Sequence, residues 1–234
     1  MTGTNDTPDT TNGTADADAP GRVSVAIVAF PRLTALDAVG PYEVLQRIPS
    51  FDVTFVGHAV GEVRTDNGML GLTVDAELED LPDPDVVVVP GGVGTRVLTA
   101  DERLLGWLRT AHETTRFTTS VCTGSLLLGA AGLLDGLTAT THWGAYRELE
   151  ATGASPTPER VVEHLDRRIV TAAGVSSGID MAIRLVEVLV DPTAAKAAQL
   201  MIEYDPDPPF DAGAPSKVDD EVMARVVTYA GHRD

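Results

Sequence analysis

The stretch Arg116-Phe-Thr-Thr-Ser-Val-Cys122-Thr123-Gly124-Ser125-Leu-Leu-Leu-Gly-Ala-Ala-Gly-Leu-Leu134 decides the fold. An apolar, strand-like run ends at Val121. The only cysteine of the chain follows, then Thr-Gly-Ser, then a helix-like apolar pattern. Strand, sharp turn and helix with a nucleophile on the turn is the arrangement of a nucleophile elbow. A thiol at a helix N-terminus is expected to have a lowered pKa, because aligned peptide dipoles favour the thiolate. Gly124 leaves room for substrate and for close helix–strand packing. The N–H of Thr123 is free to face an anion, since the first N–H groups of a helix lack intrahelical partners. A lone cysteine is more commonly a small buried hydrophobe. Its place on this turn favours the functional reading.

Working outward, Val23-Ser-Val-Ala-Ile-Val-Ala-Phe30 and Val86-Val-Val-Val89 are short, nearly continuous apolar runs, as expected of parallel strands buried on both faces. Pro31 ends the first, and Pro90-Gly91-Gly92 ends the second. Leu36 to Arg47 reads as a turn leading into an amphipathic helix, and Phe51 to Gly57 as a strand. Asp66-Asn67-Gly68 marks a peripheral hairpin within 63–74. A helix is expected from about Asp101 to Glu113, with Asp101 as an acidic first-turn residue. A short strand is expected over 137–141, ending at His142-Trp143, with a helix to about Ala151. Val161–His164 and Arg168–Ala173 form a strand pair, and Gly174 opens a turn. Helices follow over Ser177–Val190, Pro192–Glu203 and about Lys217–Tyr229. Between the last two lies a proline-rich loop, 204–215, suited either to covering a pocket or to packing across a dimer interface. Strands alternating with helices imply an α/β fold with a mostly parallel sheet covered on both faces. Residues 1–20, with four Asp and no Lys or Arg, read as a disordered acidic tail, and 21–234 as one domain.

Among the 234 residues, 35 are acidic and 17 basic, for a net charge of −18. Such a surface repels nucleic-acid phosphate and anionic lipid. No run reaches the ~18 apolar residues of a membrane span, and the N-terminus lacks a signal-peptide core. A cytoplasmic protein is expected. The acids are spread along the chain, as in proteins of salt-accumulating cells, where screening relieves self-repulsion. One cysteine excludes an intrachain disulfide, and no spacing suggests a metal site or a nucleotide-phosphate loop.

In open α/β sheets, ligands bind beyond the carboxyl ends of the strands. Asp37, Gly91-Gly92, Cys122, His142 and Gly174–Ser177 all follow expected strand ends. Asp37 either caps the helix at 38–47 or faces the thiol as a proton shuttle. The N–H groups of Gly91 and Gly92 either serve a tight turn or join that of Thr123 at a developing anion. His142 is either a structural hydrogen-bonding residue or a participant in binding.

These residues resemble the ThiJ/PfpI superfamily, whose fold is flavodoxin-like and related to glutamine amidotransferases. The carrying features are the Val89-Pro-Gly-Gly92 turn, the Cys122 elbow and Thr141-His142. Within that superfamily the sequence is most similar to the isonitrile hydratases. The segments behind this are Leu36-Asp37-Ala-Val-Gly40-Pro41-Tyr-Glu43-Val-Leu45, Val121-Cys122-Thr123-Gly124, Ala139-Thr-Thr-His142-Trp143 and Glu203 to Asp211. Relatives of the peptidase and deglycase type carry glutamate and a histidine where this chain has Asp37 and Thr123. The resemblance implies that Cys122, Asp37 and Thr123 are catalytic, that an isonitrile is hydrated to an N-substituted formamide without a cofactor, and that the protein is a homodimer. The same Leu-Asp-x-x-Gly-Pro and Cys-Thr-Gly signatures occur in sensor domains of AraC-type regulators. A stand-alone small-molecule sensor on this fold, or another thiol hydrolase, is therefore the alternative.

Overall fold

The computed structural model describes residues 21–230; the expected acidic tail at 1–20 lies outside them. The elements in order are β1 (Val23–Val28), α1 (Ala35–Leu45), β2 (Phe51–Gly57), β3 (Gly61–Arg64), β4 (Gly71–Val74), β5 (Ala76–Glu77), β6 (Val86–Val89), α2 (Thr95–Leu98), α3 (Glu102–Thr114), β7 (Phe117–Val121), α4 (Gly124–Ala130), β8 (Thr138–Ala139), α5 (Tyr146–Glu150), β9 (Ser155–Pro156), β10 (Val161–His164), β11 (Ile169–Ala172), α6 (Ser177–Leu189), α7 (Pro192–Met201) and α8 (Asp220–Ala230).

Seven strands form the central sheet in the order β10-β11-β7-β6-β1-β2-β5. All neighbours are parallel except the β10/β11 edge pair. The apolar runs are central because they are buried on both faces: all of β6 and all of β7 are buried. One helix group packs α1 on α6 and α6 on α7; the other gathers α2, α3 and α5 around α4. These groups cover the sheet, giving the mostly parallel, flavodoxin-like layering of an α/β fold. From the adjacent strands β1 and β6 the chain proceeds in opposite directions, so a crevice opens between their carboxyl ends. Asp37 and Gly91 follow those two ends.

Several local expectations change. α1 is not amphipathic in the expected sense: Asp37, Ala38, Gly40, Pro41, Val44 and Leu45 are all buried, because α6 covers the side that water would otherwise reach. It starts at Ala35 with Thr34 as N-cap, so Asp37 lies in the first turn and does not cap the helix. Asp101 is the N-cap of α3, accepting the Leu104 N–H at 3.0 Å. The strand expected over 137–141 is only Thr138–Ala139, paired with β9 outside the main sheet. His142 therefore follows no central strand. The 63–74 hairpin is present as antiparallel β3 and β4, with Gly68 at φ +73° in the turn. Among the described residues, no helix is long and apolar enough to cross a membrane.

Candidate active site

β7 delivers Cys122 to the elbow. Its N–H lies 3.0 Å from the Ala172 carbonyl and 2.9 Å from that of Ala173, at the end of neighbouring β11. Its carbonyl accepts two hydroxyls, from Ser125 at 3.1 Å and Thr141 at 3.0 Å. Held on both sides, Cys122 adopts φ +58°, a conformation that costs a non-glycine residue energy and persists only where the surroundings enforce it. The helix can start immediately because residue 124 is glycine: a Cβ there would sit 2.0 Å from the Val89 carbonyl oxygen.

The β1 side supplies Asp37. Its carboxyl is fully buried. Oδ2 accepts the Gly91 N–H at 3.0 Å, while Oδ1 is buried without a hydrogen-bond partner. The Cys122 thiol lies close enough for the two groups to shift one another. Burial pushes Asp37 up to about 7; the bonds from Gly91 and Cys122 oppose that only in part. Burial and the Asp37 charge push the thiol up to about 12, against N–H donation to sulfur from Thr123 and Val175. The expected lowering of the thiol pKa is thus reversed. A seven-residue helix end supplies too little field to offset burial beside a carboxylate. The resting pair holds its proton on sulfur and an acceptor of near-neutral basicity beside it.

The glycine turn also differs from expectation. The Gly91 N–H is committed to Asp37, and the Gly92 N–H to the Thr123 hydroxyl at 2.9 Å. The Thr123 hydroxyl lies 3.1 Å from the Gly92 carbonyl and 3.2 Å from the hydroxyl of Thr95, which in turn donates to Gly92 at 2.8 Å. Gly91 and Gly92 therefore tie Asp37 and the elbow together and leave no free N–H pair for an anion. The groups facing the sulfur are the N–H of Thr123, as expected, and that of Val175, which lies within the Gly174–Ser177 candidate group although no donor role is expected for it. Val175 sits at φ +39°, unusual for a β-branched residue. Only the Gly174 turn after a strand end pointed to its neighbourhood.

A Cβ on Gly91 would lie 2.5 Å from the Thr123 nitrogen and 2.9 Å from Asp37 Oδ2. Gly91→Ala is expected to lose most activity and about 1–3 kcal/mol of stability, read from urea denaturation beside steady-state rates. Wild-type values for both would show that the turn and the carboxyl can separate freely.

Beside the elbow opens a cavity of about 710 Å³, lined by Thr141, His142, Trp143, Tyr146, Arg160 and Ala173–Ser177, and walled by the proline-rich loop through Tyr204, Pro206, Pro208 and Phe210. The loop lines the pocket, the first of the two roles open to it. His142 stands on the cavity wall. Its ring lies beside Trp143, with centroids 5.1 Å apart, and Nδ1 accepts the Gly144 N–H at 3.2 Å. Burial and then the nearby Arg96 charge lower its pKa, so it is neutral near pH 7.

A thiol on a strained strand-to-helix turn, paired with a buried carboxyl across the switch crevice of a parallel sheet, defines a cysteine-elbow α/β protein. The chain belongs to the DJ-1/PfpI family, whose model matches residues 23–188. The isonitrile hydratase of Pseudomonas putida is 42% identical over 207 residues, covering 87% of this chain and 90% of that protein. A solved ThiJ/PfpI family protein from Pseudomonas syringae superposes with a TM-score of 0.85 at 34% identity, covering 97% of this chain and 93% of that one. The HTH-type transcriptional regulator GbdR of Pseudomonas aeruginosa is 31% identical over 117 residues, half of this chain and 32% of its own length.

Proposed function

We propose that this protein is an isonitrile hydratase, converting R–NC and water to R–NH–CHO through a covalent thioimidate on Cys122. The observation carrying this reading is the buried Asp37–Cys122 pair, an acid–base group and a nucleophile sharing one proton. An isonitrile carbon accepts both a nucleophile and a proton, which such a pair supplies. Asp37 accepts the Sγ–H proton as sulfur bonds to the terminal carbon, then returns it to that same carbon, giving R–N=CH–S–Cys122. The restored carboxylate next takes a proton from water as the oxygen attacks the thioimidate carbon and passes it to nitrogen, giving R–NH–CH(OH)–S–Cys122. The C–S bond then breaks as the hydroxyl proton moves through Asp37 to the departing sulfur, and R–NH–CHO leaves with the thiol re-formed. The Thr123 and Val175 N–H groups steady the sulfur as charge develops on it, and His142 contacts the R group. The scheme uses no cofactor or metal. The extended similarity to the Pseudomonas putida enzyme supports the substrate class.

The test is formamide production from cyclohexyl isocyanide by purified protein in multimolar KCl. Absence of product from folded protein would shift the reading to a cytoplasmic small-molecule sensor, which the match to a regulator and the walled cavity favour.

We infer a homodimer with a salt-adapted surface. At net −18, association brings like charges together, so dimerisation is expected to strengthen with KCl. Equal molecular mass by light scattering in low and multimolar KCl would refute that dependence.

A further inference from the structure

The cavity beside the elbow holds far more than a reacting carbon. It includes Thr141, whose hydroxyl bonds the Cys122 carbonyl, and Val175, whose N–H faces the sulfur, and it extends to Phe210 on the proline-rich arm. The chain has only five Phe, two Trp and four Tyr. Trp143, Tyr146, Tyr204 and Phe210 nevertheless all line this one cavity, beside the His142 ring. Phe210 is 78% and Trp143 37% exposed, so both rings keep open area that packing within the chain does not use. Aromatic faces and edges of this kind hold other rings by offset stacking and edge-to-face contact.

The arm that carries Phe210 is tied down on both sides of it. The Tyr204 N–H donates to the Gln199 carbonyl at 3.1 Å, and Gln199 Nε2 donates to the Tyr204 carbonyl at 3.0 Å. The Tyr204 hydroxyl reaches the ion pair of Arg160 and Asp180. Beyond Phe210, Lys217 pairs with Asp211. Pro206, Pro208, Pro209 and Pro215 stiffen the segment. The same two ion pairs decide which charge the cavity accepts. Arg160, Asp211 and Lys217 are the charged residues on its wall, and each already has a partner of opposite sign. An ionised ligand would have to displace one of those partners, whereas a neutral one displaces none.

A cavity of about 150 Å³ is enough for one benzene ring. At about 710 Å³ this one falls among pockets that enclose drug-sized molecules. Resting on the isonitrile hydratase reading, we propose that the cavity is the R-group subsite and that it selects isonitriles whose R group is uncharged and carries two or more rings, held by the Trp143 and Phe210 rings. The Asp37–Cys122 pair acts on the isonitrile carbon whatever R is, so discrimination falls to Trp143 and to an arm far from the thiol in sequence.

Two measurements test this, one with turnover and one without. The first compares kcat/KM for 2-naphthylmethyl isocyanide and ethyl isocyanide, which both carry the isonitrile on a saturated carbon. The naphthyl substrate is expected to be favoured by about 100-fold, and Phe210→Ala to cut that ratio by about tenfold. Benzyl isocyanide is expected to exceed its para-carboxylate by at least about tenfold. The second titrates N-(2-naphthylmethyl)formamide into the Cys122→Ala protein and follows tryptophan emission. Trp143 should be quenched, and the response should vanish in Cys122→Ala with Trp143→Phe, because Trp107 lies buried in α3 and does not line the cavity. Quenching without turnover of any isonitrile would defeat the hydratase reading and leave the ring-binding subsite standing. Equal kcat/KM for the naphthyl and ethyl substrates, a ratio unmoved by Phe210→Ala, or no quenching of Trp143 would overturn the proposal.

Discussion

Cys122→Ala is expected to remove isonitrile turnover, by about 10⁴-fold or more, while the protein stays folded. The loss is large because sulfur is the atom that bonds to the substrate carbon; without it there is no thioimidate for water to attack. The fold survives because the elbow is held by main-chain groups. The residue 122 N–H still meets the carbonyls of Ala172 and Ala173, and its carbonyl still accepts the Ser125 and Thr141 hydroxyls. Alanine tolerates φ +58° about as well as cysteine, since both carry a Cβ. Cys122→Ser should be nearly as inactive: a buried hydroxyl gives up its proton to a group near pKa 7 far less readily than a thiol does. The measurement is formamide release beside near-ultraviolet circular dichroism. Rates within tenfold of wild type for the alanine variant would sink the covalent mechanism.

The sheet and the position of the nucleophile were legible in the sequence because both are written in contiguous residues. Four consecutive valines ending in Pro-Gly-Gly have few homes other than a central parallel strand, and an apolar run ending in Cys-Thr-Gly before Leu-Leu-Leu forces a turn between strand and helix. What the sequence did not reveal depends on residues far apart in the chain. The Gly91 N–H is taken by a carboxyl 54 positions away and the Gly92 N–H by a hydroxyl 31 positions away, so a turn that reads as an anion site is an internal brace. The sign of the thiol shift depends on how deeply Cys122 and Asp37 are buried together, which neither local segment specifies. Val175 meets the sulfur only through a main-chain twist imposed by the end of β11 and the start of α6. α1 misled for a related reason: a helix covered by a second helix loses the polar face on which amphipathic reading relies.

Asp37→Asn separates chemistry from stability, because it should damage one and improve the other. In the native protein the carboxyl titrates near 7, against an ordinary value of 3.8. Below the lower value both folded and unfolded chains hold the proton, and the group has no effect on stability. Between the two values the folded chain keeps a proton that the unfolded chain releases, so stability falls as pH rises; above about 7 the whole cost of burying the charge is present. That cost is on the order of a few kcal/mol. Asparagine carries no charge and its side-chain oxygen can still accept the Gly91 N–H. The variant is therefore expected to melt at a higher temperature than wild type at pH 8 and at about the same temperature at pH 4. Its catalysis should move the other way. The thiol of wild type depends on an ionised Asp37 to take its proton, so kcat/KM should rise with pH through about 7 and level off above. The asparagine variant should lose on the order of 10³-fold at pH 8, together with that rising limb. A variant that melts higher yet keeps the wild-type pH profile would leave Asp37 a buried strut with no part in proton transfer. One that loses activity without gaining stability at pH 8 would mean that the carboxyl is not buried as a charge, and that the pair does not share its proton in the way this mechanism needs.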